Sequence, residues 1–211
     1  MKNQMSKQES VLHKPDFGDA VEYLSSVANV LTQLPISDIE AVIDHLLRAY
    51  ERERTVYLFG NGGSAALASH AACDLGKGTM TPGRAPFRAI SLCDNVPLMT
   101  AWANDSSYEN IFAAQLRPLI QPQDVAFAIS GSGSSPNVLN ALGLARDAGA
   151  VNIGLAGCNG GKMKPLCDLC VIVPSQQMQE IEDSHVCIMH AVFFAFSRRL
   201  CQAGRARFAS V

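Results

Sequence analysis

The sequence predicts a three-layer, doubly wound α/β fold: a five-stranded parallel sheet with helices on both faces and two helices ahead of the first strand. Three observations carry this expectation. Short apolar runs alternate with stretches of helical spacing, and each run is nearly continuous, as in strands buried on both faces. Two of the runs end in turns of glycine and serine that restart as helices. With 211 residues, 48% of them hydrophobic, the chain can build one well-buried domain but not two large ones.

Residues 1–16 are polar and are expected to form a flexible N-terminal arm, leaving 17–205 as a single domain. Over 16–34, Val21, Leu24, Val27, Leu31 and Leu34 recur at helical spacing until Pro35 ends the run. Ser37-Asp38-Ile39-Glu40 is a capping-box pattern opening a second helix, with Ile39, Val42, Ile43, Leu46 and Leu47 on one face. These two helices either cover the sheet or form an oligomer interface, because a surplus apolar face is usually buried against something.

Residues 55–59 (TVYLF) are the first predicted strand, short, β-branched and aromatic. Gly60, Asn61, Gly62 and Gly63 then let the backbone turn at positive φ, with Ser64 where an N-cap belongs. Such a junction aims free N–H groups and a helix dipole at one spot and suits a phosphate. Further along that helix His70 and Asp74 are four apart and share a face. Residues 87–92 (FRAISL) are the second strand, and 96–108 contain the polar cluster Trp102-Ala103-Asn104-Asp105. Residues 124–129 (DVAFAI) form the third strand and run into a second turn, Ser130-Gly131-Ser132-Gly133-Ser134-Ser135, where Pro136 fits the first turn of the next helix. A fourth strand at 151–155, a short helix at 162–167, a fifth strand at 169–173 and a long helix at 179–203 complete the pattern.

Both turns fall beyond the carboxyl ends of strands, where ligands sit in open parallel sheets, so the pair can embrace one phosphate from two sides. Neither matches a nucleotide fingerprint: Ala65 stands at the wrong spacing for G-x-G-x-x-G, and no G-x-x-x-x-G-K-[ST] occurs. A phosphorylated metabolite is therefore expected, with no nucleotide cofactor. A net charge of −2 with scattered Lys and Arg excludes an electrostatic footprint for nucleic acid. The N-terminal stretch has no apolar core resembling a signal peptide or membrane span, so a cytoplasmic protein is expected. Seven cysteines then read as small core residues in a reducing compartment. Cys167 and Cys170 form a C-x-x-C, for which packing is favoured over redox or metal chemistry because no second pair or nearby His accompanies it.

The last helix carries Glu182, His185 and His190. Glu182 and His190 differ by ~80° around the axis and share a broad face, whereas His185 lies ~140° from His190 and points elsewhere. A single His in an apolar helix is more often a core residue. His70, Asp74, Glu182 and His190 together suit zinc or a similar divalent ion, and without a metal they still make an acid and base cluster.

The turn GNGGS, the run AISGSGSSPNV, the segment AGCNGGKM and a last helix of carboxylate and histidines together resemble the sugar isomerase (SIS) domain. Within it they resemble the phosphoheptose isomerase family, over roughly residues 16–200. That resemblance implies a homotetramer with the two N-terminal helices at its interface. It implies a substrate-binding set of Asn61, Gly62, Gly63, Ser64, Ser130, Ser132, Ser135 and Asp105, with the four serines on the phosphate. It places the family's glutamate base at Asp74 and its histidine acid or metal ligand at His190. A zinc set would fall on His70, Asp74, Glu182 and His190, with the two helix faces expected to meet across a subunit boundary. Two positions depart from the family: Asp74 is one methylene shorter than Glu, and Glu182 replaces a neutral Gln.

The implied reaction is aldose–ketose isomerisation of a sugar phosphate, foremost sedoheptulose 7-phosphate to glycero-manno-heptose 7-phosphate. Two alternatives are an isomerase of another phosphosugar and a non-catalytic phosphosugar-binding protein that associates with the replication initiator. Retention of the four-residue set argues against the second, since a scaffold has no use for it.

Overall fold

The computed structural model describes residues 17–80 and 84–208, with side chains as far as residue 202. The expected arm at 1–16 lies outside the described residues. Five strands, β1 (Val56–Gly60), β2 (Ala89–Ser91), β3 (Val125–Ser130), β4 (Val151–Ala156) and β5 (Leu169–Ile172), form one sheet in the order β2-β1-β3-β4-β5. Every pairing is parallel. The chain steps outward from β1 to β2, then crosses back to lay β3 on the other side of β1. The direction of winding therefore reverses between β1 and β3, which makes a crevice at the carboxyl ends of that pair.

The strands read as unbroken apolar runs because they feed two cores alternately. Val56, Leu58, Val125, Phe127 and Ile129 point to one side, where α2 (Ile36–Glu51), α3 (Gly63–Cys73) and α7 (Met178–Phe208) cover them. Tyr57, Phe59, Ala126 and Ala128 point to the other, under α5 (Ile111–Leu116) and α6 (Pro136–Asp147). The first helix, α1 (Ala20–Thr32), lies outside this pattern. It docks on α7 through Tyr23, which donates to Asp183, and Ser26, which donates to the buried Glu180. Of its predicted stripe Val27 is buried, whereas Val21 and Leu24 are 73% and 64% exposed.

Several local expectations are corrected. Helix α2 starts at Ile36 with Pro35 as cap and no side-chain cap bond, so Ser37-Asp38-Ile39-Glu40 lies inside the first turn and is not a capping box. A cap must precede the helix, and proline at 35 leaves the chain already turned. Residues 96–108, noted only as a polar cluster, contain a helix, α4 (Val96–Asp105), capped by Asn95. None of its residues is fully buried, and only Met99 and Ala103, four apart, pack on the core, so its apolar stripe is too short for periodicity to detect. The short helix after β4 shrinks to a 3₁₀ turn at Lys164–Leu166.

His185 sits in the interior, fully buried, with neither ring nitrogen in a hydrogen bond of good geometry. Burial lowers its pKa from the ordinary 6.5 to about 4, with the Ala156 backbone opposing the shift. Below about 6.5 the unfolded chain takes up this proton while the folded one refuses it. Stability from this residue is thus complete above that pH and lost as pH falls toward 4, by ~3 kcal/mol in the limit. Urea unfolding between pH 7 and 4.5 should show this decline, and His185→Leu should flatten it. His45, lowered in the same direction by its own burial, contributes equally to both proteins.

Candidate active site

The crevice between β1 and β3 is closed at its floor by a contact that admits no side chain. Gly60 and Ile129 are partners in register, and a Cβ on Gly60 would stand 2.5 Å from the Ile129 carbonyl oxygen. The backbone then turns at Gly62, whose φ of +55° a side chain would strain. Gly62, and not Ser64, is the N-cap of α3. Ser64 instead falls in the first helical turn, buried against the adjacent strand ends. The amides of Ser64, Ala65 and Ala66 bond within the turn, leaving those of Gly62 and Gly63 without a partner among the described residues. Those free donors lie at the positive end of α3.

The second turn faces the first. Ser130 and Ser135 place their hydroxyls 3.5 Å apart, and the Ser132 hydroxyl accepts from the Ser134 amide at 3.3 Å. A third segment, 157–163, braces this turn from behind. The Met163 amide donates to the Gly133 carbonyl at 2.8 Å and the Gly157 amide to the Gly131 carbonyl at 2.9 Å. A side chain on Gly133 would meet the Gly160 carbonyl oxygen at 2.2 Å, which explains why glycines face each other there.

Two side chains that sequence reasoning missed lock the turns together. Asn61 and Asn137 exchange a pair of amide hydrogen bonds at 2.9 and 2.8 Å, joining the end of β1 to the start of α6. The Tyr108 hydroxyl donates to the same Asn61 carbonyl oxygen at 2.9 Å. Asn137 stands in the quoted run AISGSGSSPNV, whereas nothing in the sequence marked Tyr108. Asp105, expected to bind substrate, ends α4 and accepts from the Asn104 side chain. Among the described residues no hydrogen bond joins it to either turn.

Down the same helices lies the titratable cluster. His70 Nε2 is 3.4 Å from Asp74 Oδ2, His190 Nε2 is 4.0 Å from the same oxygen, and the two imidazoles meet edge to face at 5.1 Å. Asp74 opens a single π-helical turn, Asp74–Gly78, at the end of α3. Ligand atoms of His70, Asp74 and His190 all lie within 4.8 Å of one another, close enough to share one cation. This meeting takes place within one chain, correcting the expectation that it needs a subunit boundary: α7 runs back alongside α3 and supplies His190 itself. Glu182 is not part of this cluster. Its carboxylate lies over Gly63 at the first turn, where an added Cβ would be 2.9 Å from it. Glu182 shares a side of α7 with His190 but sits ~12 Å higher along the axis.

Residues 22–157 match the SIS domain. A phosphoheptose isomerase of Paramagnetospirillum magneticum is 44% identical over 154 residues, 73% of this chain and 78% of that protein. Another, from Helicobacter pylori strain Shi470, is 36% identical over 87% of this chain and 90% of its own length. The chain belongs to the phosphoheptose isomerase family. A solved phosphoheptose isomerase from Francisella tularensis superposes with a TM-score of 0.78 at 28% identity, covering 83% of this chain and 95% of that one. The structure from Neisseria gonorrhoeae shares the fold, with a TM-score of 0.79 at 24% identity over 84% and 96% of the two chains.

For this phosphoheptose isomerase family member the amide pair and its tyrosine identify a positioning device. Tyr108→Phe removes one neutral hydrogen bond from a half-exposed site, worth ~1 kcal/mol. Inorganic phosphate should bind that variant ~3–10-fold more weakly by calorimetric titration, with Tm lowered by no more than ~2–4 °C.

Proposed function

We propose that the protein isomerises sedoheptulose 7-phosphate to glycero-manno-heptose 7-phosphate, in accord with the names of its relatives. The carrying observation is the spacing of two sites along one helix. From Ser64 in the cradle to His70 is six residues, ~9 Å of helix, and to Asp74 ten residues, ~15 Å. An open-chain heptose 7-phosphate spans eight bonds from phosphorus to C1, ~10 Å at the ~1.2 Å per bond of an extended chain. Its phosphate can rest between the serine turns while C1 and C2 reach the cluster; a triose phosphate, at half that span, falls short.

In this reading Ser64, Ser130, Ser132 and Ser135, with the Gly62 and Gly63 amides, hold the phosphate dianion, and that binding energy positions the carbonyl end. Asp74 takes a proton from C1 and returns it to C2 through an enediolate. His190 delivers a proton to the O2 oxygen and recovers one from O1, while His70 orients the Asp74 carboxylate. Asp105 lies three residues before Tyr108 and is assigned to the sugar hydroxyls. His70, Asp74 and His190 fit a divalent ion, two imidazoles and a carboxylate being a set that suits zinc. Bound there, zinc would polarise the substrate oxygens.

The same proposal includes a cytoplasmic homotetramer. Large apolar side chains on three helices support assembly: Val21 on α1, Val96 on α4 and Phe194 on α7 are 73%, 59% and 68% exposed. Among the described residues no helix is long and apolar enough to cross a membrane.

An assay of sedoheptulose 7-phosphate isomerisation with and without added zinc tests the activity directly. Ser132→Ala should weaken sugar-phosphate binding ~5–30-fold, the ~1–2 kcal/mol of a hydrogen bond to a charged group, with folding intact. His190→Ala should abolish turnover and lower bound zinc in elemental analysis. Full activity in chelator, with no metal in the purified protein, would remove zinc from the proposal but leave the acid and base roles standing.

A further inference from the structure

The two cysteines of the C-x-x-C motif pack on the core, as the sequence suggested, and the fold gives them a particular surrounding. Cys170 on β5 is the register partner of Gly154 on β4, so the two share a sheet face. A Cβ on Gly154 would stand 2.9 Å from Cys167 Sγ and 3.3 Å from Cys170 Sγ. Both sulfurs thus occupy the space of one missing side chain, in a strand interior where glycine otherwise weakens the sheet. The methyl of Met163, 3.0 Å from the same point, closes the third side. Both thiols are half-buried. Cys93, by contrast, bonds the Gly60 carbonyl, and the other four cysteines are exposed.

We infer that Cys167 and Cys170 are a reversible oxidation site, a dithiol that closes to an intrachain disulfide by exchange with a small-molecule disulfide such as oxidised glutathione. The neighbouring Cys167 draws the Cys170 thiol below its ordinary pKa, helped by Lys164, while Cys167 is pushed up by Cys170. Cys170 is therefore the attacking thiolate. It displaces one glutathione thiolate and forms a mixed disulfide. Cys167 then loses its proton to solvent and attacks the Cys170 sulfur, releasing the second glutathione. In sum, the protein dithiol and one oxidised glutathione become a protein disulfide and two reduced glutathiones.

The pair is wired to the phosphate turn through the 3₁₀ segment Lys164–Leu166, because Met163 both packs on the sulfurs and donates to Gly133. Closing the disulfide shifts that segment and loosens the second turn. This coupling rests on the phosphate cradle proposed above; the oxidation itself does not.

The full chain is incubated with oxidised glutathione, its free thiols are then blocked, and its peptides are mapped by mass. The expected product is a 167–170 peptide lighter by two hydrogens, restored by dithiothreitol, with those two of the seven thiols lost. In Cys167→Ser the glutathione should remain on Cys170, since nothing resolves the mixed disulfide. Failure to find the cross-linked peptide, or glutathione only on exposed Cys73, Cys158, Cys187 and Cys201, overturns the assignment. Inorganic phosphate should bind the oxidised protein at least threefold more weakly than the reduced one. A disulfide that forms with unchanged phosphate affinity keeps the oxidation site and removes the coupling.

Discussion

The contact on which the site depends is the closest approach of β1 and β3 at their carboxyl ends. Gly60 faces the Ile129 carbonyl oxygen so tightly that no side chain fits between them. Because those two strands lie where the winding reverses, their outgoing turns open onto one space and not onto opposite edges of the sheet. The Asn61–Asn137 pair then bridges the turns directly. Gly133 repeats the same logic against Gly160, so the third loop can press on the second turn. The cradle is therefore a consequence of strand order and missing side chains more than of the serines themselves.

From that cradle two helices leave in the same direction. Helix α3 starts at Gly63, and α7 passes Gly131 and Gly63 near its beginning, where Met178 and Glu182 press on those glycines. Travelling side by side, they bring His70, Asp74 and His190 together some two to three turns lower. In the proposed function anion binding and proton transfer would occupy two levels of one helix pair, with the helix rise fixing the interval between them. Few other arrangements place a phosphate and a reactive carbonyl group at a set separation with so little chain.

How much of this was legible in the sequence differs by kind of signal. The strands were legible because burial on both faces leaves an apolar run with nothing to dilute it, as 125–129 shows. The angular position of a residue on a helix was legible too, and His185 does turn inward, away from His190. Height along the axis was neglected: Glu182 and His190 share a side yet lie eight residues apart, and the glutamate meets the turn after β1 instead. Helix α4 escaped because it offers the core only two partly buried residues, Met99 and Ala103, too few to make a periodic stripe. Tyr108 escaped because its partner is far away in sequence and no local pattern announces a long-range hydrogen bond. The two thiols were visible as a spacing, but only the register of β4 and β5 reveals the glycine that makes room for them.

One property of the cluster bears on the homotetramer proposed above. The side chains of His70, Asp74 and His190 are 49%, 29% and 44% exposed, so the groups meant to move protons stand in water. Proton abstraction next to a carbonyl is favoured where water is excluded and the charges act in a lower dielectric. In the proposed reaction a cover over this level of the helix pair would serve the chemistry. Phe194 lies one turn beyond His190 on the same side of α7, 68% exposed, and Met80, just past the π turn that Asp74 opens, is 66% exposed. An exposed apolar side chain one turn from an open polar cluster suits a cover drawn from another molecule. The homotetramer proposed above would supply a cover if it buried Phe194 against a neighbour, drying the cluster at the same time. Assembly and catalysis would then draw on the same exposed side chains, and a chain held as a monomer should lose turnover while keeping the phosphate cradle, which lies two turns higher and is built from its own backbone.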